Sequence, residues 1–196
     1  MKRICVYCGS SRGGRTDYAN AARELAQVLV QSSIELVYGG ADRGIMGILA
    51  DTVLAAGGKV SGVIPKALVD KEVAHAGLTE LYVVDSMHER KSLMAELSDG
   101  FVALPGGFGT LEEIIEVLTW GQLQFHSKPC GLLNTNGYFD LLLRFIGHAE
   151  SEGFLRPQHR EMLLVDNRPI MLINRLESYV APDVAKWSSQ ATTLED

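Results

Sequence analysis

Short apolar runs that read as strands alternate with segments of helical period along almost the whole chain, and that alternation leaves few folds open. Residues 4–8 form an apolar run, and residues 18–30 carry Ala22, Leu25, Ala26 and Leu29 at helical spacing. A strand over 34–38 ends in Gly39-Gly40, and a helix over 45–56 is closed by Gly57-Gly58. Residues 60–64 read as a strand stopped by Pro65, with a loop running on to Leu78. Strand–helix pairs follow at 81–84 and 87–97, 101–104 and 111–124, 130–133 and 139–150, then 163–165 and 170–179. Such alternation predicts a single doubly wound Rossmann-like α/β domain, with a mainly parallel sheet and helices on both faces. The domain is expected to cover residues 1–181, with a polar C-terminal tail over 182–196.

Composition narrows the function. The chain has 196 residues, 46% of them hydrophobic, 21% charged, and a formal net charge of −6. That charge argues against a general nucleic-acid binder, which needs basic surface to release counterions. No segment approaches the roughly 20 apolar residues that span a bilayer. Three cysteines do not make a disulfide framework. Cys5 and Cys8 have redox-motif spacing, but an odd separation on a strand sends the two thiols to opposite faces. A reducing, cytoplasmic setting is expected. His75, His88 and His126 lack paired metal spacing, so no metal is expected.

In a doubly wound fold, ligands sit beyond the carboxyl ends of the strands, where strand order reverses. Four loops fall there: 8–12, 38–47, 85–91 and 104–113. None carries the Gly-Lys-Ser/Thr of a P-loop, and the dinucleotide pattern fails at Glu112, where a third glycine belongs. Yet Pro105-Gly106-Gly107-Phe108-Gly109-Thr110 puts three glycines in four residues at a helix start, a place suited to an anion. A plain strand-to-helix turn with Thr110 as N-cap competes with this, but the glycine density favours a ligand.

Two carboxylates stand beside that loop. Thr110-Leu111-Glu112-Glu113 fits a capping box, as does Ser86-Met87-His88-Glu89. Capping is sufficient for Glu89. Glu113 is less settled, because Glu112 and Glu116 crowd the same helix start. Arg90 and Lys91 open the preceding helix, where basic residues oppose the helix dipole unless something compensates. Ser10 and Ser11 have no assignable Asp/His partner, so a serine hydrolase is a weak reading.

Ser86-Met-His-Glu-Arg-Lys91 together with Pro105-Gly-Gly-Phe-Gly-Thr-Leu-Glu-Glu113 resembles the LONELY GUY (LOG) family of cytokinin riboside 5′-monophosphate phosphoribohydrolases, long labelled putative lysine decarboxylases. The likeness runs from Val6-Tyr-Cys-Gly-Ser-Ser11 through Glu72-Val-Ala-His75, Thr119-Trp120 and His126-Ser-Lys-Pro129 to about Tyr179. Ala41 departs from it, standing where many members carry a third glycine after Gly39-Gly40. The resemblance implies hydrolysis of the N-glycosidic bond of a nucleoside 5′-monophosphate, with no cofactor, by a homodimer. It places the catalytic pair on Arg90 and Glu113, and substrate contacts on Glu72, Lys91, Gly106, Gly107, Phe108, Gly109, Thr110, Leu111 and Glu112. On this reading the loop holds the 5′-phosphate, and Glu113 stabilises the ribosyl cation or activates water. Arg90 orients Glu113, and Lys91 helps hold phosphate. No lysine stands in a context suggesting a Schiff base, so the decarboxylase label is rejected. A general AMP nucleosidase and a non-catalytic nucleotide sensor or carrier on the same fold stay open as alternatives.

Overall fold

The computed structural model describes residues 1–72 and 74–182; the side chains of residues 70–72 also lie outside it. The strand β1 (Arg3–Tyr7) lies at the centre of the sheet, and Ile4, Cys5 and Val6 are completely or almost completely buried. A strand covered on both faces must be apolar on both, which is why it reads as an unbroken run. Its side chains divide between two cores as the odd spacing predicts. Cys8, just beyond the strand end, joins Ile4 and Val6 on one face, and Cys5 joins Tyr7 on the other.

Three units wind outward from β1. They are α1 (Thr16–Gln31) and β2 (Glu35–Tyr38), α2 (Gly44–Ala55) and β3 (Val60–Pro65), then α3 (Lys66–Glu72) and β4 (Glu80–Val84). The chain next returns through α4 (Met87–Glu96) to β5 (Gly100–Ala103), on the opposite side of β1. It winds outward again through α5 (Phe108–Gln122), β6 (Cys130–Leu133), α6 (Asp140–Ser151), α7 (Pro157–Glu161) and β7 (Leu163–Asp166), and α8 (Pro169–Glu177) follows. Strand order is therefore β4-β3-β2-β1-β5-β6-β7, with every pairing parallel. Helices α1, α2 and α8 bury their apolar stripes on one face, while Met94 of α4 and Ile114 and Val117 of α5 pack on the other.

Two short helices depart from the sequence expectation. The segment after Pro65, expected as loop, begins with α3; seven residues are too few to show a helical period. The five-residue α7 is missed for the same reason. Of the expected tail, only Pro182 is among the described residues. No helix among them is long and apolar enough to cross a membrane.

Candidate active site at the strand-order reversal

Strand order reverses between β1 and β5, so the loops leaving those strands part there and open a crevice. Gly9 donates its amide to the Pro105 carbonyl at 3.3 Å, tying the two loops together. Gly106 is packed so closely that a Cβ there would stand 2.1 Å from Thr110 Oγ1 and 2.9 Å from the Gly9 nitrogen. A cavity of about 310 Å³ opens above, with Ser10, Arg12, Tyr18, Ile45, Gly107 and Tyr138 among its walls. A larger cavity, about 440 Å³, lies at the β7 edge of the sheet among Leu143, Pro157, Arg160 and Arg175. There Arg160 is bound to Glu150 and Arg175 to the Val165 carbonyl. Size favours that cavity, but the chemistry favours the crevice at the reversal.

The helix after the glycine turn starts earlier than the capping-box reading places it. Gly107, not Thr110, is the N-cap of α5, in extended conformation (φ −91°, ψ −153°) and without a side-chain cap. Thr110 lies inside the first turn and is buried. A capping box needs its acid three residues after the cap, so Glu113 is out of register for one. Without the capping role, the amides of Gly106, Gly107, Phe108 and Gly109 donate to no carbonyl or side chain among the described residues. Phe108 is 94% exposed, so its side chain does not cover them. A Cβ at Gly107 or Gly109 would meet nothing within 4 Å. Four open amides at a helix N-terminus, with no side chain over them, suit a phosphate.

The second capping box forms. Ser86 Oγ accepts from the Glu89 amide at 3.1 Å, and Glu89 Oε2 accepts from the Asp85 amide at 2.8 Å. This fixes the start of α4 and aims Arg90 inward. The Arg90 guanidinium is buried, donating to the carbonyl of Val63 within β3 at 3.1 Å and to that of Gly39, just past the end of β2, at 3.1 Å. Backbone carbonyls of the sheet are thus the compensation that a basic residue in the first turn of a helix requires.

Glu113 is half-buried on α5 and bears on the end of β1, where its charge helps push the Tyr7 hydroxyl and the Cys5 and Cys8 thiols up, burial being the larger cause in each. The charge of Arg90 also acts on Cys5, so the two residues bracket the same strand end. Lys91 is bound by carboxylates of α5, at 2.5 Å from Glu112 Oε1 and 2.9 Å from Glu116 Oε1. Burial lowers its pKa, but the bonds to Glu112 and Glu116 together prevail and raise it above the ordinary lysine value. The ammonium expected to help hold phosphate is engaged in that pair of bridges. Leu111 packs partly buried against the core beneath α5. The side chain of Glu72 lies outside the described residues.

Of the three histidines weighed as metal ligands, His75 and His126 have structural settings. His75 Nδ1 accepts from the Gly77 amide, leaving Nε2 to donate to Asp51 at 2.9 Å. His126 Nδ1 accepts from the Lys128 amide while Nε2 faces the Val117 carbonyl, and burial pulls its pKa down. His88 is exposed. No cluster of three or more metal-ligating side chains occurs among the described residues.

Tyr138 is the site residue that motif reading missed. It leaves β6 in the loop Asn134-Thr-Asn-Gly-Tyr138, a fifth strand-end loop, and its hydroxyl donates to the Gly106 carbonyl at 2.6 Å. Its position at a strand end is the signal that could have found it.

An all-parallel, doubly wound sheet whose strand order reverses between β1 and β5 defines a Rossmann-like protein. The molybdenum cofactor carrier protein of Chlamydomonas reinhardtii has the same fold, with a TM-score of 0.69 at 20% identity over 91% of this chain and 99% of its own. The family model described as "Possible lysine decarboxylase" matches residues 46–176. The rice (Oryza sativa subsp. japonica) protein named "Probable cytokinin riboside 5′-monophosphate phosphoribohydrolase LOGL9" is 50% identical over 180 residues, 92% of this chain and 79% of its own. The Arabidopsis thaliana cytokinin riboside 5′-monophosphate phosphoribohydrolase LOG5 is 49% identical over 179 residues, 91% and 78% of the two chains. The chain belongs to the LOG family.

Proposed function

We propose that this protein is a cytokinin riboside 5′-monophosphate phosphoribohydrolase, releasing an adenine-type base and ribose 5-phosphate from its nucleotide. The observation that carries this reading is the row of open amides from Gly106 to Gly109, with a half-buried carboxylate, Glu113, one turn further along the same helix. A phosphate on those amides fixes one end of the nucleotide and leaves its ribose towards Glu113. In the reaction the bond from the anomeric carbon to the base nitrogen breaks, its electron pair leaving with the base, which takes up a proton. Water adds its oxygen to the anomeric carbon and gives up a proton. Positive charge grows on the ribose as the bond breaks, and Glu113 stabilises it or takes the proton from the attacking water. Arg90, fixed by two backbone carbonyls, orients Glu113 and limits the negative charge around it.

The lysine decarboxylase label implies pyridoxal phosphate bound to a lysine, and the described residues do not fit it. No lysine lines the crevice among them. Lys91 is bridged to two carboxylates and held protonated, the opposite of what a Schiff base requires.

We further place the protein in the cytoplasm as a homodimer. Free, buried thiols at Cys5, Cys8 and Cys130 support the first. Exposed apolar side chains on neighbouring helices, Ile115 on α5 with Leu141 and Phe145 on α6, support the second.

The test is base release from isopentenyl-AMP, AMP and isopentenyladenosine by purified protein. Release from the monophosphates but not from the riboside is expected, and no release from any of the three overturns the reading. The ratio of the two monophosphate rates separates a cytokinin enzyme from a general AMP nucleosidase. Nucleotide binding without release identifies a carrier.

A further inference from the structure

We infer that Tyr138 is a positioning residue that locks the Gly106–Gly107 peptide so that its amide faces the ligand; this rests on the phosphate-loop reading above. In a trans peptide the C=O of one residue and the N–H of the next point in opposite directions. Holding the Gly106 carbonyl therefore sets where the Gly107 amide points. The Tyr138 hydroxyl holds that carbonyl at 2.6 Å. The preceding carbonyl, Pro105, is held from another side by the Gly9 amide at 3.3 Å. Two successive carbonyls are thus tied back, and the amides of Gly106 and Gly107 are turned the other way.

Such a clamp answers a specific weakness. With glycine on both sides, no Cβ hinders rotation of the Gly106–Gly107 peptide, so the loop itself does not favour the orientation an anion needs. Tyr138 is well placed to supply the preference because it is itself held. Its ring packs edge-on against Phe139, at 5.0 Å between centroids and 90° between planes, and Phe139 is buried in the core. Tyr18 of α1 also meets the ring, at 5.6 Å and 77°. The loop carrying it is tied by Asn134, whose Oδ1 accepts from the Phe139 amide and whose Nδ2 donates to Asp140, both at 2.8 Å. The core under β6 thereby sets the geometry of a loop that follows β5.

Tyr138→Phe removes the hydroxyl and keeps both ring contacts, so the fold is preserved. Tyr82→Phe, which loses a hydroxyl bonded to the exposed Glu80 on the β4 edge, is the control. Ribose 5-phosphate and adenine are titrated calorimetrically into wild type and both variants, alongside the kinetics of AMP hydrolysis. In Tyr138→Phe, affinity for ribose 5-phosphate is expected to fall about five- to tenfold, the effect of one hydrogen bond. KM for AMP should rise by a similar factor, with kcat, adenine affinity and Tm held. Unchanged ribose 5-phosphate affinity overturns the inference, as does an equal loss of adenine affinity or a fall in Tm that accounts for both. If the wild type releases no base while the variant still loses ribose 5-phosphate affinity, the clamp stands and the hydrolase reading fails. If the wild type releases base and the variant binds ribose 5-phosphate normally, the reverse holds. A wild type that binds no ribose 5-phosphate removes the phosphate-loop reading and the clamp with it, while base release alone decides the hydrolase reading.

Discussion

The guanidinium of Arg90 lies against the backbone of Gly39, donating from Nη2 to its carbonyl at 3.1 Å, and a Cβ on Gly39 would stand 2.1 Å from that same nitrogen. Glycine is needed here for the approach of a side chain, not for a left-handed backbone. The blocked atom is the far end of a flexible side chain, so the fold accommodates Gly39→Ala by displacing Arg90 from its carbonyls. Loss of charged hydrogen bonds is expected to cost about 1–3 kcal/mol of stability. Moving the proposed orienting group by an ångström should cost about 10²-fold in kcat. Gly14→Ala, whose Cβ meets nothing within 4 Å, should leave kcat unchanged. Urea unfolding and steady-state kinetics of the two variants check this, and full activity in Gly39→Ala would remove Arg90 from the proposed machinery.

Glu113 is half-buried beside the end of β1 and is out of register for the capping box that its sequence context suggests. Glu113→Gln keeps its shape and removes its charge. If the carboxylate meets positive charge only as the glycosidic bond breaks, kcat should fall about 10²–10³-fold while ribose 5-phosphate binds as before. Turnover within a few fold of wild type would show that the carboxylate is not the group that acts.

Much of this was legible in the sequence because the fold rests on simple periodicities. The buried runs at β1, β2, β3 and β5 are apolar on both faces, and that pattern is unmistakable. What was not legible depended on the third dimension. The order of the strands, and hence which two loops flank the crevice, is a matter of pairing across the sheet. Thr110 has the chemistry of an N-cap, yet the glycines before it let the helix begin at Phe108 and Thr110 was drawn inside. Tyr138 lies 32 residues from the carbonyl it holds, and no motif links the two. The bridges of Lys91 to Glu112 and Glu116 join two helices, and no motif links those residues.

That bridge makes a prediction about pH. The Lys91 pKa lies above its ordinary value of 10.5 because the bonds to Glu112 and Glu116 outweigh burial. A raised lysine pKa stabilises the folded state fully below the unfolded value, and the contribution is lost as pH climbs through the folded one. Lys91→Met should therefore lower stability by about 1–2 kcal/mol at pH 7–9, allowing for the exposure of Glu112. The gap should begin to narrow above pH 10.5 and close only beyond the folded value. Urea midpoints of both proteins at pH 8 and pH 11 measure it; a gap undiminished at pH 11 would mean that Lys91 acts through packing and not through charge.

The glycine at 109 separates the demands of the fold from those of the ligand. It lies in the first turn of α5, needs no left-handed backbone, and would present a Cβ to open space. Alanine in its place removes backbone freedom from the unfolded chain and suits the helix better, so Gly109→Ala should stabilise the protein by about 0.5–1 kcal/mol. The same methyl stands among the amides proposed to receive phosphate, where glycine permits the closest approach. KM for AMP should rise at least tenfold even as Tm increases. Both quantities come from one variant, by thermal melting and by initial rates, and they move in opposite senses only if this position is kept bare for a ligand. A higher Tm with an unchanged KM would place the phosphate somewhere other than the start of α5, and a lower Tm would mean that the helix start itself depends on the glycine.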